Sequence, residues 1–156
     1  MIGQQCKNIV FGRLASNAIG QIRSLGEAGM HPIVVWIGAS IPCEISKSKW
    51  IKEINLFKST NEAIDWLVDT YKDESEKPVI TTDTDNLVMS LNENFDRLSP
   101  YFHFFNAGEN GRLSYFMKKE RLCVLAEESG LRIPQTCIYS NDKDFDWGGG
   151  KISDIN

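Results

Sequence analysis

The chain has 156 residues, of which 42% are hydrophobic and 24% charged, and its formal net charge is −4. This length is typical of one domain large enough to bury its own core, and the composition excludes a disordered chain, a collagen-like chain and a coiled coil. The acidic balance disfavours a protein that coats nucleic acid, and no apolar run approaches the ~20 residues that a membrane span requires.

Hydrophobic periodicity predicts alternating strands and helices along most of the chain. Short apolar runs bounded by glycine or proline indicate buried strands, and apolar residues three or four apart indicate helices that pack on one face. In chain order, the predicted elements are a strand at 8–12, a helix at 13–29, a strand at 32–38, an irregular segment at 39–53, a strand at 54–57, a helix opened by 59–62, a strand at 78–82, a helix opened by 83–86, a strand at 101–105, a helical stretch from about 111 to 129 and a strand at 136–139. This alternation predicts an open parallel sheet covered on both faces, that is, a three-layer, Rossmann-like α/β fold.

Local residue types also predict where several helices begin and end. Ser16 or Asn17 is the expected N-terminal cap of the first helix, and Gly29 suits the left-handed position just past its end. Residues 59–62 match the capping box S-x-x-E, and Gly130 is expected to end the last helix. The tail changes character, because it holds four aspartates and three consecutive glycines but few apolar residues. We therefore expect one α/β domain over residues 1–139 and a linker or truncated tail over residues 140–156.

The cysteines and the N-terminus favour a cytoplasmic protein. Cys6, Cys43, Cys123 and Cys137 lie far apart in the chain and never form C-x-x-C, and the sequence contains two histidines. Zinc sites and catalytic Cys–His pairs need several such side chains in a recognisable arrangement, so we expect no metal site of this kind. The cysteines are interpreted as small buried side chains in a reducing compartment. The first seven residues lack the apolar core of a signal peptide.

Open α/β sheets bind ligands outside the carboxyl ends of their strands, so candidate site residues are sought in the segments that follow the strands. Gly12 and Gly20 lie eight residues apart, which matches neither G-x-G-x-x-G nor a P-loop, and a nicotinamide dinucleotide site is disfavoured. A plain strand-to-helix turn that needs small residues is the alternative interpretation. Asp83 or Thr84 is either a helix cap or part of a polar rim that receives a hydroxyl, amine or carboxylate. The basic run at residues 118–121 is either a solvated face or a contact for an anionic phosphate.

Four segments, in order, resemble the N-terminal domain of ATP-grasp carboxylate–amine ligases of the carbamoyl-phosphate synthetase large-subunit-like group. Residues 9–29 are similar to a glycine-ended strand followed by N-G-L-G-x-x-R-S-L-x-x-A-G, with alanine in place of its first glycine. Residues 48–52 resemble S-R-Y-V-K, and residues 78–86 resemble P-V-L-x-P-T-S-D-E without its second proline and its glutamate. The most specific match is that of residues 119–136 to K-x-R-x-x-x-L-A-E-E-A-G-I-P-V-P-K-T.

The resemblance implies a pre-ATP-grasp domain that shapes one wall of the acceptor site. Carried over to the matching positions, it implies substrate-binding roles for Gly12, Arg13, Asn17, Asp85 and Asn86. Lys119 matches a lysine that in relatives can reach the nucleotide phosphates. In that family a carboxylate attacks ATP to give an acyl phosphate, which an amine then attacks, and a following ATP-grasp domain holds ATP and Mg²⁺. No residues here match that following domain, so we expect this chain, as a fragment or truncated product, to be inactive alone, with no catalytic residues, no metal ligands and no tightly bound cofactor.

Two other hypotheses stay open. The chain is alternatively a stand-alone Rossmann-like module that binds a nucleotide or a small molecule, or one that regulates a partner. A surface meant for a missing ATP-grasp domain is also expected to favour a homodimer. Under the leading hypothesis the partners are a small-molecule carboxylate, an amine and the missing domain, with no nucleic acid and no membrane.

Overall fold

The structure, a computed structural model, describes residues 6–132, which divide into one compact unit up to Ser114 and a second from Tyr115 onwards. The strands are β1 (Asn8–Gly12), β2 (Ile33–Ile37), β3 (Glu53–Phe57), β4 (Val79–Thr82) and β5 (His103–Phe104). The helices are α1 (Ala15–Glu27), α2 (Cys43–Ser46), α3 (Thr60–Tyr71), α4 (Asp85–Glu93), α5 (Phe95–Leu98), α6 (Arg112–Phe116) and α7 (Lys119–Glu128).

The five strands form one parallel sheet in the order β3-β2-β1-β4-β5. The central strand β1 places Phe11 beside Val35 of β2 on one side and beside Thr82 of β4 on the other. The chain adds strands on one side of β1 up to β3 and then crosses to the other side for β4. The strand order therefore switches between β1 and β4, which is where an open α/β sheet forms its ligand crevice.

Helices cover both faces of the sheet, which confirms the predicted three-layer, Rossmann-like fold. Side chains alternate along β1, so Ile9 and Phe11 face one core while Val10 faces the other. The first core also contains buried side chains of α3, α4 and α5, and the second contains Ala18 and Ile22 of α1. Unbroken apolar strands such as β2, buried at every position, follow from this two-sided cover.

Three predicted helix ends are confirmed. Gly29 has φ +77°, and the N–H of Met30 donates to the Leu25 carbonyl at 2.9 Å, which closes the C-terminus of α1. The hydroxyl of Ser59 accepts from the N–H of Glu62 at 3.3 Å and caps α3. Gly130, with φ +71°, ends α7 in the same way as Gly29 ends α1.

Other boundaries differ from the prediction. The helical stretch expected at 111–129 is divided into α6 and α7, and the segment expected to be irregular contains α2. Strand β5 has two residues instead of the expected five, because it pairs only with Val79 and Ile80 at the start of β4. The expected strand at 136–139 and the expected tail at 140–156 lie outside the described residues.

The cysteine interpretation is wrong for part of the chain. Cys43 is exposed and Cys6 is half-buried, so neither is a core side chain. Cys43 opens the short helix α2, whose inward position is taken by Ile45. Within residues 6–132, no helix combines the length and the apolar character needed to cross a membrane.

Candidate functional site

The carboxyl ends of β1 and β4 carry two adjacent strand-to-helix turns. The first turn joins Gly12 of β1 to Ala15 of α1, and the second joins Thr82 of β4 to Asp85 of α4. Because these strands are parallel neighbours, both turns lie at the same edge of the sheet, at its switch point. We call the surface that these two turns form the switch-point crevice.

Asp83 links the two turns. Its side chain is buried, with the residue only 6% exposed, and its Oδ2 accepts from the backbone N–H groups of Arg13 at 2.8 Å and Leu14 at 2.6 Å. These N–H groups lie at the N-terminus of α1, where the helix dipole favours a negative charge. The second oxygen, Oδ1, is buried and has no hydrogen-bond partner among the described residues.

This contact corrects the predicted cap of α1. The N-cap of α1 is Leu14, which has no side-chain cap, so the predicted caps Ser16 and Asn17 are wrong. Asp83 provides the missing acceptor from across the sheet. Thr84 is the N-cap residue of α4, which confirms one of the two predicted alternatives, although its side chain makes no capping hydrogen bond. The sequence offered one signal for Asp83, an acidic residue placed directly after a buried strand.

Gly12 is required by close packing around this carboxylate. A Cβ atom at Gly12 would lie 3.0 Å from Oδ2 of Asp83 and 3.2 Å from the ring of Trp36. Contacts this short require the neighbours to give by a few tenths of an ångström, and both neighbours are buried. Packing therefore gives one reason for a glycine at the end of β1, and the substrate-binding role expected of Gly12 stays a prediction.

Two amide side chains of α1 attach this helix to the end of β4. Asn17 donates from Nδ2 to the backbone carbonyl of Asp83 at 2.9 Å, and Gln21 donates from Nε2 to that of Thr82 at 2.7 Å. Sequence reasoning missed Gln21, because its partner lies 61 residues away along the chain. The side-chain oxygen of Gln21 and the hydroxyl of Thr84 are buried without a partner among the described residues, as Oδ1 of Asp83 is.

The remaining predicted residues are exposed around the crevice or lie in the second unit. The side chain of Arg13 is exposed and forms no ion pair with any residue in the described range 6–132. Asp85 and Asn86 are exposed at the first turn of α4. Lys119 is the first residue of α7 in the second unit, and its predicted phosphate contact stays a prediction.

An apolar cleft adjoins the crevice. Its volume is about 560 Å³, and its walls include Thr82 of β4, Val88 and Leu91 of α4, and Phe104 and Phe105 at the edge strand. The cleft exists because the two-residue strand β5 leaves the second half of β4 without a neighbour on that side. Since Thr82 directly precedes Asp83, the cleft places apolar surface beside the polar crevice.

The side chains at this edge of the sheet can bind a ligand through charge, hydrogen bonds and apolar contact. Arg13 offers a free guanidinium, Asp83 and Thr84 offer buried oxygen atoms, and the cleft offers apolar walls. Among residues 6–132 no group of three or more His, Cys, Asp or Glu side chains is arranged to hold a metal ion. Comparison with protein-family models, with curated proteins and with solved structures finds no match to this chain.

Proposed function

We propose that this chain is the substrate-side domain of an ATP-dependent carboxylate–amine ligase, with the switch-point crevice as one wall of the substrate site. Two kinds of observation support the proposal. Four sequence segments resemble the N-terminal domain of such ligases, and the α/β fold agrees with that resemblance. The observation that carries it is the carboxylate of Asp83 at the N-terminus of α1.

This carboxylate separates the proposal from its main alternative. A Rossmann-like nucleotide-binding module uses the N-terminus of its first helix to bind phosphate. Here Asp83 already accepts the N–H groups of Arg13 and Leu14, so these backbone donors are not available to a phosphate, whereas the exposed side chain of Arg13 can still bind an anion. The arrangement favours a domain whose crevice holds a different substrate while residues elsewhere hold the nucleotide.

The free guanidinium of Arg13 indicates what that substrate contains. Arginine binds carboxylates through paired, charge-assisted hydrogen bonds, and the Arg13 guanidinium forms no ion pair with a carboxylate of residues 6–132. We propose that it receives the substrate carboxylate, with Asn17, Asp85 and Asn86 on the rim. ATP and Mg²⁺ belong to the complete enzyme in this proposal. The described residues do not form a magnesium site, so no reaction step through the metal is assigned to them.

The test is a titration of the ¹⁵N-labelled chain followed by NMR, with acetate, benzoate and glutamate as carboxylate probes and ATP with Mg²⁺ as the nucleotide probe. We expect the carboxylates to shift the amide signals of Gly12, Arg13 and Leu14. Arg13→Gln is expected to weaken this binding about tenfold, because it removes a charge-assisted hydrogen bond. Lys58→Gln is the matched control, since Lys58 is an exposed cation that follows β3, two strands away from β1 and the crevice.

Two results contradict the proposal. One is saturable, micromolar binding of ATP that shifts the crevice amides, because it assigns the nucleotide to this domain. The other is carboxylate binding that Arg13→Gln and Lys58→Gln weaken equally or that Arg13→Gln leaves unchanged. ATP hydrolysis by the isolated chain also overturns the expectation that this part acts only in substrate recognition.

A further inference from the structure

A second concave surface lies between α1 and the segment that follows α2. This groove has a volume of about 260 Å³, and its lining includes Arg23, Glu44, Lys47, Lys49 and Trp50. It is distinct from the switch-point crevice, because Arg23 lies eight residues beyond the start of α1, about 12 Å along the helix axis. Residues 48–50, the first part of the segment 48–52 that the proposed function leaves without a role, line this groove.

Positive charge converges on this groove. Arg23, Lys47 and Lys49 are all exposed, and none of them forms an ion pair with another residue in the described part of the chain. Glu44 is the one acidic side chain in the lining. The groove is therefore locally cationic in a protein of net charge −4. Like charges held together without a partner repel one another, and a bound anion relieves that repulsion.

The wall that carries these charges is held in place by packing. A Cβ atom at Gly26 would overlap the ring of Trp50, so the indole lies directly against the backbone of α1. The ammonium of Lys49 lies 4.5 Å from the centre of this ring, in a cation–π contact. A lysine already ordered on an aromatic ring loses less conformational entropy when an anion binds.

We infer that this groove binds the phosphate group of a small phosphorylated molecule. Arg23, Lys47 and Lys49 supply the positive donors, and the half-buried Ser48 supplies a hydroxyl beside them. The groove is smaller than the roughly 300 Å³ at which pockets for drug-sized ligands begin, so a phosphate monoester with a short carbon skeleton fits better than a dinucleotide. The inference rests on charge and shape at this groove and does not depend on the proposed ligase function.

The test uses glycerol 3-phosphate as the probe and glycerol as its uncharged counterpart, at constant ionic strength. Binding is followed by the NMR signal of the Trp50 indole N–H and by calorimetry. We expect saturable binding of glycerol 3-phosphate and none of glycerol. Lys47→Ala, Lys49→Ala and Arg23→Gln are each expected to weaken binding about fivefold, the effect of losing one surface charge pair. Lys58→Ala removes an exposed lysine that does not line the groove and is expected to leave the affinity within about twofold.

Three outcomes overturn the inference. The first is the absence of saturable binding to the wild-type chain. The second is full affinity in the double variant of Lys47→Ala and Lys49→Ala. The third is a loss of affinity in Lys58→Ala as large as that in the groove variants. Such a result shows that glycerol 3-phosphate is attracted to the overall surface charge and not to a site. All four substitutions affect exposed side chains, so circular dichroism is expected to show unchanged folding in each.

Discussion

A single carboxylate organises the switch-point crevice at the scale of the residue. Asp83 accepts two backbone N–H groups from the turn that precedes α1, and the backbone carbonyl of the same residue accepts from Asn17. Gly12 leaves the space that this carboxylate needs. The two turns of the crevice therefore depend on one another, although about 70 residues separate them along the chain.

This dependence predicts a coupling between two substitutions. Asp83→Ala removes the acceptor of two N–H groups and is expected to lower the free energy of unfolding by about 1–3 kcal/mol. Gly12→Ala is expected to cost about 1–3 kcal/mol, because its methyl group is forced against Oδ2 of Asp83 and the Trp36 ring. The double variant is expected to lose at least about 0.5 kcal/mol less than the sum, since removing the carboxylate makes room for the methyl group.

Urea unfolding of the four chains measures this coupling. Asp85→Ala is the matched control, because Asp85 is an exposed acid two residues further along, at the start of α4, and its loss is expected to stay within about 0.5 kcal/mol. Strict additivity of Gly12→Ala and Asp83→Ala contradicts the role assigned to the short contact between them. An equal loss in Asp83→Ala and Asp85→Ala contradicts the role of the buried hydrogen bonds.

At the scale of the element, helix α1 contains one glycine that is tightly packed and one that is exposed. Gly26 is buried against Trp50, and a Cβ atom there would overlap the indole. Gly20 is exposed in the same helix, and a Cβ atom there meets nothing within 4 Å. The first glycine permits close packing, whereas the second only adds flexibility to the unfolded chain.

Alanine substitutions at these two positions are therefore expected to have opposite signs. Gly26→Ala is expected to lower the free energy of unfolding by about 1–3 kcal/mol, because Trp50 must move away from α1. Gly20→Ala is expected to raise it by about 0.5–1 kcal/mol, the usual difference between the two residues inside a helix. Thermal and urea unfolding check both values, and a stabilising Gly26→Ala contradicts the packing described for Trp50.

The ends of α1 also show what the sequence could and could not predict. Its C-terminus was predicted from Gly29, because the left-handed residue and its hydrogen bonds involve only neighbours in the chain. Its N-terminus was not predicted correctly, because the acceptor of its N–H groups is Asp83, which is distant in the sequence. For the same reason the role of Gln21 was not predicted, since the carbonyl that accepts its hydrogen bond belongs to β4. Local sequence patterns predict hydrogen bonds between near neighbours in the chain, whereas contacts between turns can be predicted only when the strand order is known.

For the whole molecule, strand–helix alternation was sufficient to predict the parallel sheet with its two cores. It did not predict the groove, because the apolar positions of α1 indicate only which face is buried. The position of Trp50 against Gly26, and with it the convergence of Lys49 and Arg23, depends on the path of the segment after α2. Surface sites of this kind form where two segments pack together, and hydrophobic periodicity describes only one segment at a time.

For the folded state as a whole, the titration of Tyr71 makes the free energy of unfolding depend on pH. It is buried in the larger core, with its ring in edge-to-face contact with Trp66 and Phe102. Burial, and then the negative charges of Glu53 and Glu74, raise the pKa of Tyr71 to about 12, whereas an unfolded tyrosine has a pKa of about 10. The folded state therefore holds this proton more tightly than the unfolded state does.

The sign of the pH dependence follows from this difference. Below about pH 10 the hydroxyl is protonated in both states, so its contribution to stability is fully present. Between about pH 10 and 12 the unfolded state releases the proton first, and the free energy of unfolding falls as the pH rises. Tyr71→Phe keeps the ring and removes the titrating group, so its stability is expected to fall less steeply across this interval. Urea unfolding of both chains from about pH 9 to 12 measures the two slopes. Parallel curves contradict the assignment, because every other titrating group is common to the two chains.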